Sequence, residues 1–118
     1  MALTSTTRRN GVVRLWKHGE GALTGVGEIT LGATGDYGAT GVVLTAAEAR
    51  KLGFNVIHFA AGISVRQSGG TLRAIRGIWD APNNAIRLFK GAAGVDVEIT
   101  AGTDLAAGDI ITCWLAGN

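Results

Sequence analysis

Side chains that could act as nucleophiles, proton donors or metal ligands are scarce in this chain of 118 residues. It contains two histidines, one cysteine and one tyrosine. A zinc site of the common cysteine and histidine kind needs about four ligands, and Cys113, His18 and His58 have no neighbours at ligand spacing. The sequence therefore predicts no metal site, no cofactor and no enzymatic activity.

The glycine-rich segment 32–41 is the stretch whose composition most suggests phosphate binding. A P-loop requires Gly-x4-Gly-Lys-Ser/Thr at the start of a helix, and that string does not occur. A dinucleotide-binding glycine motif requires a βαβ unit, whereas strand patterns follow this segment. We therefore predict a tight surface loop, because so many glycines disfavour any regular element.

Asp96 and Glu98 are the one pair of carboxylates that could be read as a hydrolytic site. They belong to a segment, 95–100, in which apolar and polar residues alternate. The alternation predicts a strand with Val95, Val97 and Ile99 inward and the acidic residues outward. An exposed strand face explains the two carboxylates more simply than catalysis does.

The charges are grouped along the chain, although the net charge is only +2. Residues 66–90 contain five cations and one anion, and residues 91–118 contain four anions and no cation. Such blocks either steer contacts between chains or are interleaved by folding into a mixed surface. Single-strand binders place aromatic residues among their cations, and few occur here, so we expect no direct nucleic-acid partner.

The elements that must position these residues are mostly short strands. About eight or nine of them alternate with turns rich in the chain's 19 glycines, a spacing typical of antiparallel sandwiches and barrels. We predict an all-β fold, an antiparallel β-sandwich resembling a jelly roll, as a single domain over 11–118. Residues 1–10 are predicted to form an extended polar arm, and the last strand, apolar on both faces, to be central or covered by a partner.

One short helix is predicted over residues 45–52. Thr45 is a favourable N-cap, and Glu48 three residues later completes a capping box. Arg50 and Lys51 fall in the last turn, where the helix dipole favours cations, and Gly53 is suited to a left-handed stop. Residues 101–108 are predicted to be a loop.

The chain is expected to be made in a cytoplasm. Its first ten residues lack the apolar run of a signal peptide, and no stretch approaches the roughly 18 apolar residues of a membrane span. A single cysteine allows no intrachain disulfide. No membrane partner is expected.

Three segments resemble one group of proteins. They are Gly35–Gly41 (GDYGATG) with the VVLT that follows, the hairpin Trp79–Phe89, and Val97–Ala106. The chain is similar over about residues 26–118 to the capsid decoration proteins of tailed bacteriophages, also called cement or head-stabilisation proteins. The resemblance implies a sandwich or jelly-roll protein, commonly trimeric, that binds the major capsid protein on the outside of the virion and clamps neighbouring capsomers.

Basic, aromatic and loop residues are the candidates for contacts with the capsid or with another subunit. These candidates are Arg8, Arg9, Arg14, Trp16, Asp36, Tyr37, Arg66, Arg73 and Arg76. Tyr37 is expected to be the anchor of the glycine-rich loop. Two alternatives are a tail or head–tail connector protein, and a carbohydrate-binding sandwich that uses Trp16 or Trp79 as an aromatic platform for host attachment.

The polar arm is expected to reach the capsid or a neighbouring subunit through Arg8 and Arg9. We predict that deletion of residues 1–10 lowers capsid occupancy, because the contacts of the arm are lost while the domain keeps its core. Counting bound copies per particle for the full chain and the truncated chain measures this. Equal occupancy would show that the arm has no such role.

Overall fold

The computed structural model describes residues 14–17, 22–32 and 36–118, and of residues 14–17 only the backbone. Strands dominate these ranges, and all of their pairings are antiparallel. The eight strands are β1 Arg14–Lys17, β2 Leu23–Thr30, β3 Val42–Val43, β4 Ile57–Arg66, β5 Leu72–Asp80, β6 Ala85–Ala92, β7 Val95–Glu98 and β8 Ile110–Gly117. The two helices are α1 Ala46–Lys51 and α2 Ala101–Asp104. The predicted all-β class is confirmed.

All eight strands belong to one curled sheet with the order β1-β2-β8-β4-β5-β6-β3, in which β7 also pairs with β6. β3 and β7 follow one another along the same side of β6, because β3 pairs with Ala85 and Ile86 whereas β7 pairs with residues 89–92. A single continuous sheet does not confirm the prediction of a sandwich or jelly roll. β8 lies between β2 and β4, so the prediction that the last strand is central is confirmed.

The concave, inner face of the sheet wraps around one hydrophobic core. In β8 the residues Ile111, Cys113 and Leu115 point inward and are buried. The residues of β2 and β4 that pair with these three positions lie on the same inner face, because the side chains of a strand alternate between its two faces. Helix α1 covers this core with Ala49, and Leu52 directly after it is fully buried.

Helix α1 begins and ends as its sequence predicts. The Thr45 hydroxyl accepts a hydrogen bond from the backbone N–H of Glu48 at 3.3 Å, and Gly53 follows the helix with a φ of +92°. The Glu48 side chain is buried and lies 3.4 Å from the Lys51 ammonium. The helix is too short to be stable by itself, so its packing on the core holds it in place.

One local prediction is wrong. The segment 101–108, predicted to be a loop, begins with the short helix α2, in which Asp104 accepts a hydrogen bond from the Thr100 N–H at 2.7 Å. Val95 and Val97 lie on the inner face as predicted, since they pair with Ala92 and Lys90, but they are 61% and 42% exposed. Both valines belong to an edge strand, where the inner face of the sheet extends beyond the core.

The turn between β6 and β7 is a two-residue hairpin, Ala93-Gly94, with φ angles of +52° and +82°. Positive φ at both positions is the signature of the type I′ turn, whose twist matches that of paired strands. Ala93 therefore occupies a left-handed conformation that an alanine rarely adopts.

Cys113 is buried, and burial raises the pKa of its thiol from 9.0 to about 12. In the unfolded chain the thiol ionises near its ordinary pKa, so a raised pKa in the folded chain favours folding below about pH 9. That contribution is lost as the pH rises from 9 towards 12.

We predict that the free energy of unfolding falls more steeply above pH 9 in the wild type than in Cys113→Ala. The difference in slope is at most about 1.4 kcal/mol per pH unit. Urea unfolding of both proteins with reductant at pH 7.5, 9.5 and 10.5 measures it. Parallel pH profiles would contradict the assignment, since other alkaline groups are common to both proteins.

Candidate functional site: an exposed aromatic face

The convex, outer face of the sheet is uncovered at its centre. Trp114 of β8 is 54% exposed, Phe59 of β4 is 53% exposed and Ile78 of β5 is 52% exposed. These three side chains, called the outer patch below, come from consecutive strands β8, β4 and β5. Register and strand alternation place the three on the same face of the sheet, so they are a group of exposed apolar residues rather than scattered single ones.

A β-bulge in β4 shapes the outer patch. The register between β4 and β8 shifts between Ala61 and Ser64, and Gly62, within the shift, has a φ of +59°. A Cβ atom at Gly62 would lie 3.2 Å from Cδ1 of Trp114. The indole therefore lies against the glycine backbone, and a bulge with a left-handed glycine is the type that bends a strand and redirects its neighbours.

An ion pair between Arg66 of β4 and Glu28 of β2 lies along the outer face beside the patch. The Glu28 side chain is buried, while that of Arg66 is 28% exposed and also donates to the Thr112 hydroxyl at 3.5 Å. No hydrogen-bond partner for Glu28 Oε1 occurs among the described residues. Arg66 is therefore the group that compensates the buried charge of Glu28.

Arg76, the second predicted contact residue on this face, pairs with Asp96 of β7. Both side chains are largely exposed, so solvent screens their attraction and the pair adds little to folding stability. The hydrogen bond and the charge of Asp96 raise the pKa of the Arg76 guanidinium further. Arg76 stays charged at the surface, two residues before Ile78 on the same strand, β5.

Arg73 lies on the other face. Its Nε and Nη2 donate to the two Asp109 carboxylate oxygens at 2.7 and 3.2 Å, and Asp109 is buried and also accepts from the Ala106 N–H. Nearby, Lys90 donates to Asp104 at 3.0 Å. Arg73, Lys90 and Asp104 line a shallow depression of about 460 Å³, and both of these cations already have a carboxylate partner.

Tyr37 and Asp36 are buried rather than displayed on the predicted surface loop. The Tyr37 hydroxyl accepts from the Leu88 N–H at 2.9 Å and donates to Glu98 Oε2 at 2.7 Å, and Arg87 Nη1 lies 3.1 Å from the same carboxylate oxygen. Burial raises the pKa of this phenol far above its ordinary value. Tyr37 thus hydrogen-bonds to β6 in the gap between β3 and β7. The Asp36 carboxylate accepts a hydrogen bond from the Gly32 N–H at 2.9 Å.

The remaining predicted contact residues are Arg8, Arg9, Arg14 and Trp16. Arg8 and Arg9 lie outside the described residues. Arg14 and Trp16 belong to β1, where Arg14 pairs with Val26 and Trp16 with Thr24. The structure therefore brings Arg66 and Arg76 to the outer face, and separates from them Arg73, Asp36 and Tyr37.

The blocks of opposite charge interleave within the chain. Four cations of residues 66–90 pair with the four carboxylates of residues 91–118: Arg73 with Asp109, Arg76 with Asp96, Arg87 with Glu98 and Lys90 with Asp104. Of the two interpretations of these blocks, mutual neutralisation on folding is the one observed for these residues.

Neither metal ligands nor a membrane-spanning helix emerge from the described ranges. No group of three or more histidine, cysteine or acidic side chains there is placed to hold a metal ion. None of the helices in the same ranges has the length and apolar content needed to cross a bilayer.

Comparison with known proteins returns no match to any family model, curated protein or solved structure. Functional inference therefore depends on the geometry of this chain. The outer patch was not among the predicted contact sites. One sequence signal for it exists, since a strand that is apolar on both faces, as β8 is, needs a cover on each.

We predict that Arg66→Met lowers the free energy of unfolding by about 3 kcal/mol, because it leaves a buried carboxylate without a counter-charge. The double variant Glu28→Leu/Arg66→Met should regain most of that loss. Denaturant unfolding of the wild type, Arg66→Met, Glu28→Leu and the double variant gives the coupling energy between the two side chains.

Thr112→Val is the matched control for this prediction. It removes only a long hydrogen bond to Arg66, so it should cost less than about 1 kcal/mol. If Arg66→Met cost no more than this control, the pair would not be compensating a buried charge.

Proposed function

We propose that this chain is a structural virion protein that binds the outer surface of an icosahedral phage capsid. In this proposal it forms a homotrimer, contacts the major capsid protein and cements adjacent capsomers. The observation that carries the proposal is the outer patch of Trp114, Phe59 and Ile78. Large exposed apolar residues grouped on one face of a protein favour a contact site for another macromolecule.

The make-up of the outer face supports a protein partner. Interfaces between proteins combine an apolar, aromatic centre with a polar rim, and their strongest contacts involve tryptophan and arginine. Trp114 and Phe59 supply the centre, and the paired side chains of Arg66 and Arg76 lie to its side. Roughly 100 Å² of each aromatic side chain remains accessible to solvent. This is about half of the area that such a side chain buries in an interface.

Cementing by such a protein would follow from mass action. A protein that binds the assembled shell and not its dissociated subunits stabilises the shell by its own binding free energy. A trimer multiplies weak contacts, because once one subunit is bound the others act at high effective concentration. Neither mechanism requires catalysis or a cofactor, and neither involves nucleic acid or a membrane.

We predict that Trp114→Ala combined with Phe59→Ala weakens capsid binding by more than tenfold, because truncating central aromatic anchors commonly costs 2 kcal/mol or more. Tailed-phage heads assembled without a decoration protein are titrated with the chain, and bound copies are counted after sedimentation. Saturation by the wild type at a fixed number of copies per capsomer is expected.

Leu72→Ala is the matched control. Leu72 is also an exposed apolar residue, but it lies at the opposite end of β5 from Ile78. Its loss should leave binding unchanged. Equal weakening by the control, or wild-type binding by the double variant, would remove the outer patch from the proposed contact.

Carbohydrate binding is the second candidate function, because Trp114 and Phe59 also present open aromatic faces. Trp79, the platform predicted for this role, packs against the core instead. Titration with host-surface glycans, followed by tryptophan fluorescence, separates the two candidates. A saturable change that Trp114→Ala abolishes, together with no binding to heads, would favour the glycan.

A tail or connector protein would be recognised by a far smaller copy number per particle.

A further inference from the structure

Gly77 of β5 lies on the inner face of the sheet, behind the outer patch. Strand alternation puts it on the side opposite its neighbour Ile78, and it pairs with the buried Leu88 of β6 in a regular ladder. Its φ lies outside the left-handed region. Glycine weakens a strand and often marks the close approach of another group. At this position the missing side chain, not backbone freedom, is therefore what the structure uses.

Ile63 of β4 occupies the space above Gly77. A Cβ atom at position 77 would collide with Cγ2 of Ile63 and would lie 2.8 Å from its Cβ. The two residues adjoin the paired residues Ser64 and Arg76, and Ile63 is buried. Rotation of the isoleucine side chain moves Cγ2 but not Cβ, so a methyl group at position 77 is accommodated only if a strand shifts.

The contact between Ile63 and Gly77 lies directly behind residues of the outer patch. Ile63 follows Gly62, where a Cβ atom would lie 3.2 Å from Cδ1 of Trp114, and Gly77 precedes Ile78. Residues 62 and 63 form no pairing with β8, because the register shifts between Ala61 and Ser64. The backbone of this bulge is thus held by side-chain contacts, with the isoleucine on the inner face and the indole on the outer face.

We propose that the contact of Ile63 with Gly77 sets the position of Trp114 in the outer patch. Both residues are then positioning residues, because they act on the contact surface from the covered face of the sheet and touch no partner. An anchor that is already in place loses less freedom on binding. The proposal rests on the proposed function only in taking the outer patch as the contact, and the position of Trp114 can be measured without a capsid.

Fluorine NMR of the chain labelled with 5-fluorotryptophan tests the proposal. The three tryptophans give three 19F resonances, and that of Trp114 is identified by its loss in Trp114→Phe. The change in its shift between H2O and D2O reports how exposed the indole is. Gly77→Ala is expected to move this resonance and to change its exposure, because the added methyl group displaces Ile63 and with it Gly62.

Two variants are matched controls. Gly91 is also a strand glycine with φ outside the left-handed region, but a Cβ atom there would meet nothing within 4 Å, so Gly91→Ala should leave the Trp114 resonance unchanged. Ile63→Val keeps the Cβ and Cγ2 atoms that rest on Gly77 and loses only Cδ1. It should therefore also keep the resonance in place.

A folded Gly77→Ala variant with an unchanged Trp114 resonance would refute the proposal. If circular dichroism shows that Gly77→Ala does not fold, Ile63→Ala takes its place, since it removes the same contact from the β4 side. An unchanged resonance in that variant refutes the proposal as well. An equal movement in Gly91→Ala would show that any strand glycine affects the indole, which also contradicts the assignment.

Binding to heads shows whether this positioning matters for the contact. Gly77→Ala should weaken binding by roughly threefold to tenfold, because the anchor is displaced rather than removed. In a Trp114→Ala background the same change should add little, whereas a general loss of structure would weaken binding in both backgrounds. Wild-type affinity of Gly77→Ala in spite of a moved resonance would remove the role in binding.

The same measurements separate this proposal from the proposed function. A moved Trp114 resonance in Gly77→Ala, together with no binding of the wild type to heads, keeps the positioning and refutes the capsid function. Binding of the wild type to heads, together with an unmoved resonance in Gly77→Ala, refutes the positioning and keeps the function.

Discussion

The rest of the structure depends on one constraint: β8 has apolar residues on both of its faces, and the described elements cover its inner face fully but its outer face only at the start, where Ile110 is buried. The inner side, with Ile111, Cys113 and Leu115, is sealed by the curled sheet and by α1. On the outer side, Trp114 lies against Gly62 and remains half exposed. A sheet that curls more tightly around the core on its inner face exposes more of its outer face.

The ion pairs in this fold position its strands relative to one another rather than forming a binding site. Glu28 and Asp109 are buried carboxylates, and each has an arginine from another strand as its counter-charge. A buried pair of this type adds little net stability, but it strongly disfavours any register that would separate the partners. Arg66 and Arg73, which sequence reasoning assigned to contacts, therefore fix strand positions in the free chain, and Arg66 also borders the outer patch.

Much of the fold could be predicted from local sequence, because local rules govern those parts. Thr45, Glu48 and Gly53 specify the boundaries of α1 through capping, and the inward set of β8 follows from strand alternation. Tyr37 could not be predicted as a buried residue, because its hydroxyl bonds to Leu88 and Glu98, more than fifty residues away. Val95 and Val97 misled for a related reason: alternation identifies the inner side of a strand but not whether core exists beneath it.

The candidate site shows the same division. Its residue types were visible in the sequence, but its position was not, because the outer patch joins β4 and β5 to β8, which follows them in the chain only after β6, β7 and α2. The bulge at Gly62 has an evolutionary consequence. A side chain there would need a left-handed backbone and would press on the indole of Trp114, so positions 62 and 114 constrain each other. In any lineage that retains this surface, the tryptophan should persist only where glycine does, and drift at one position should be followed by change at the other.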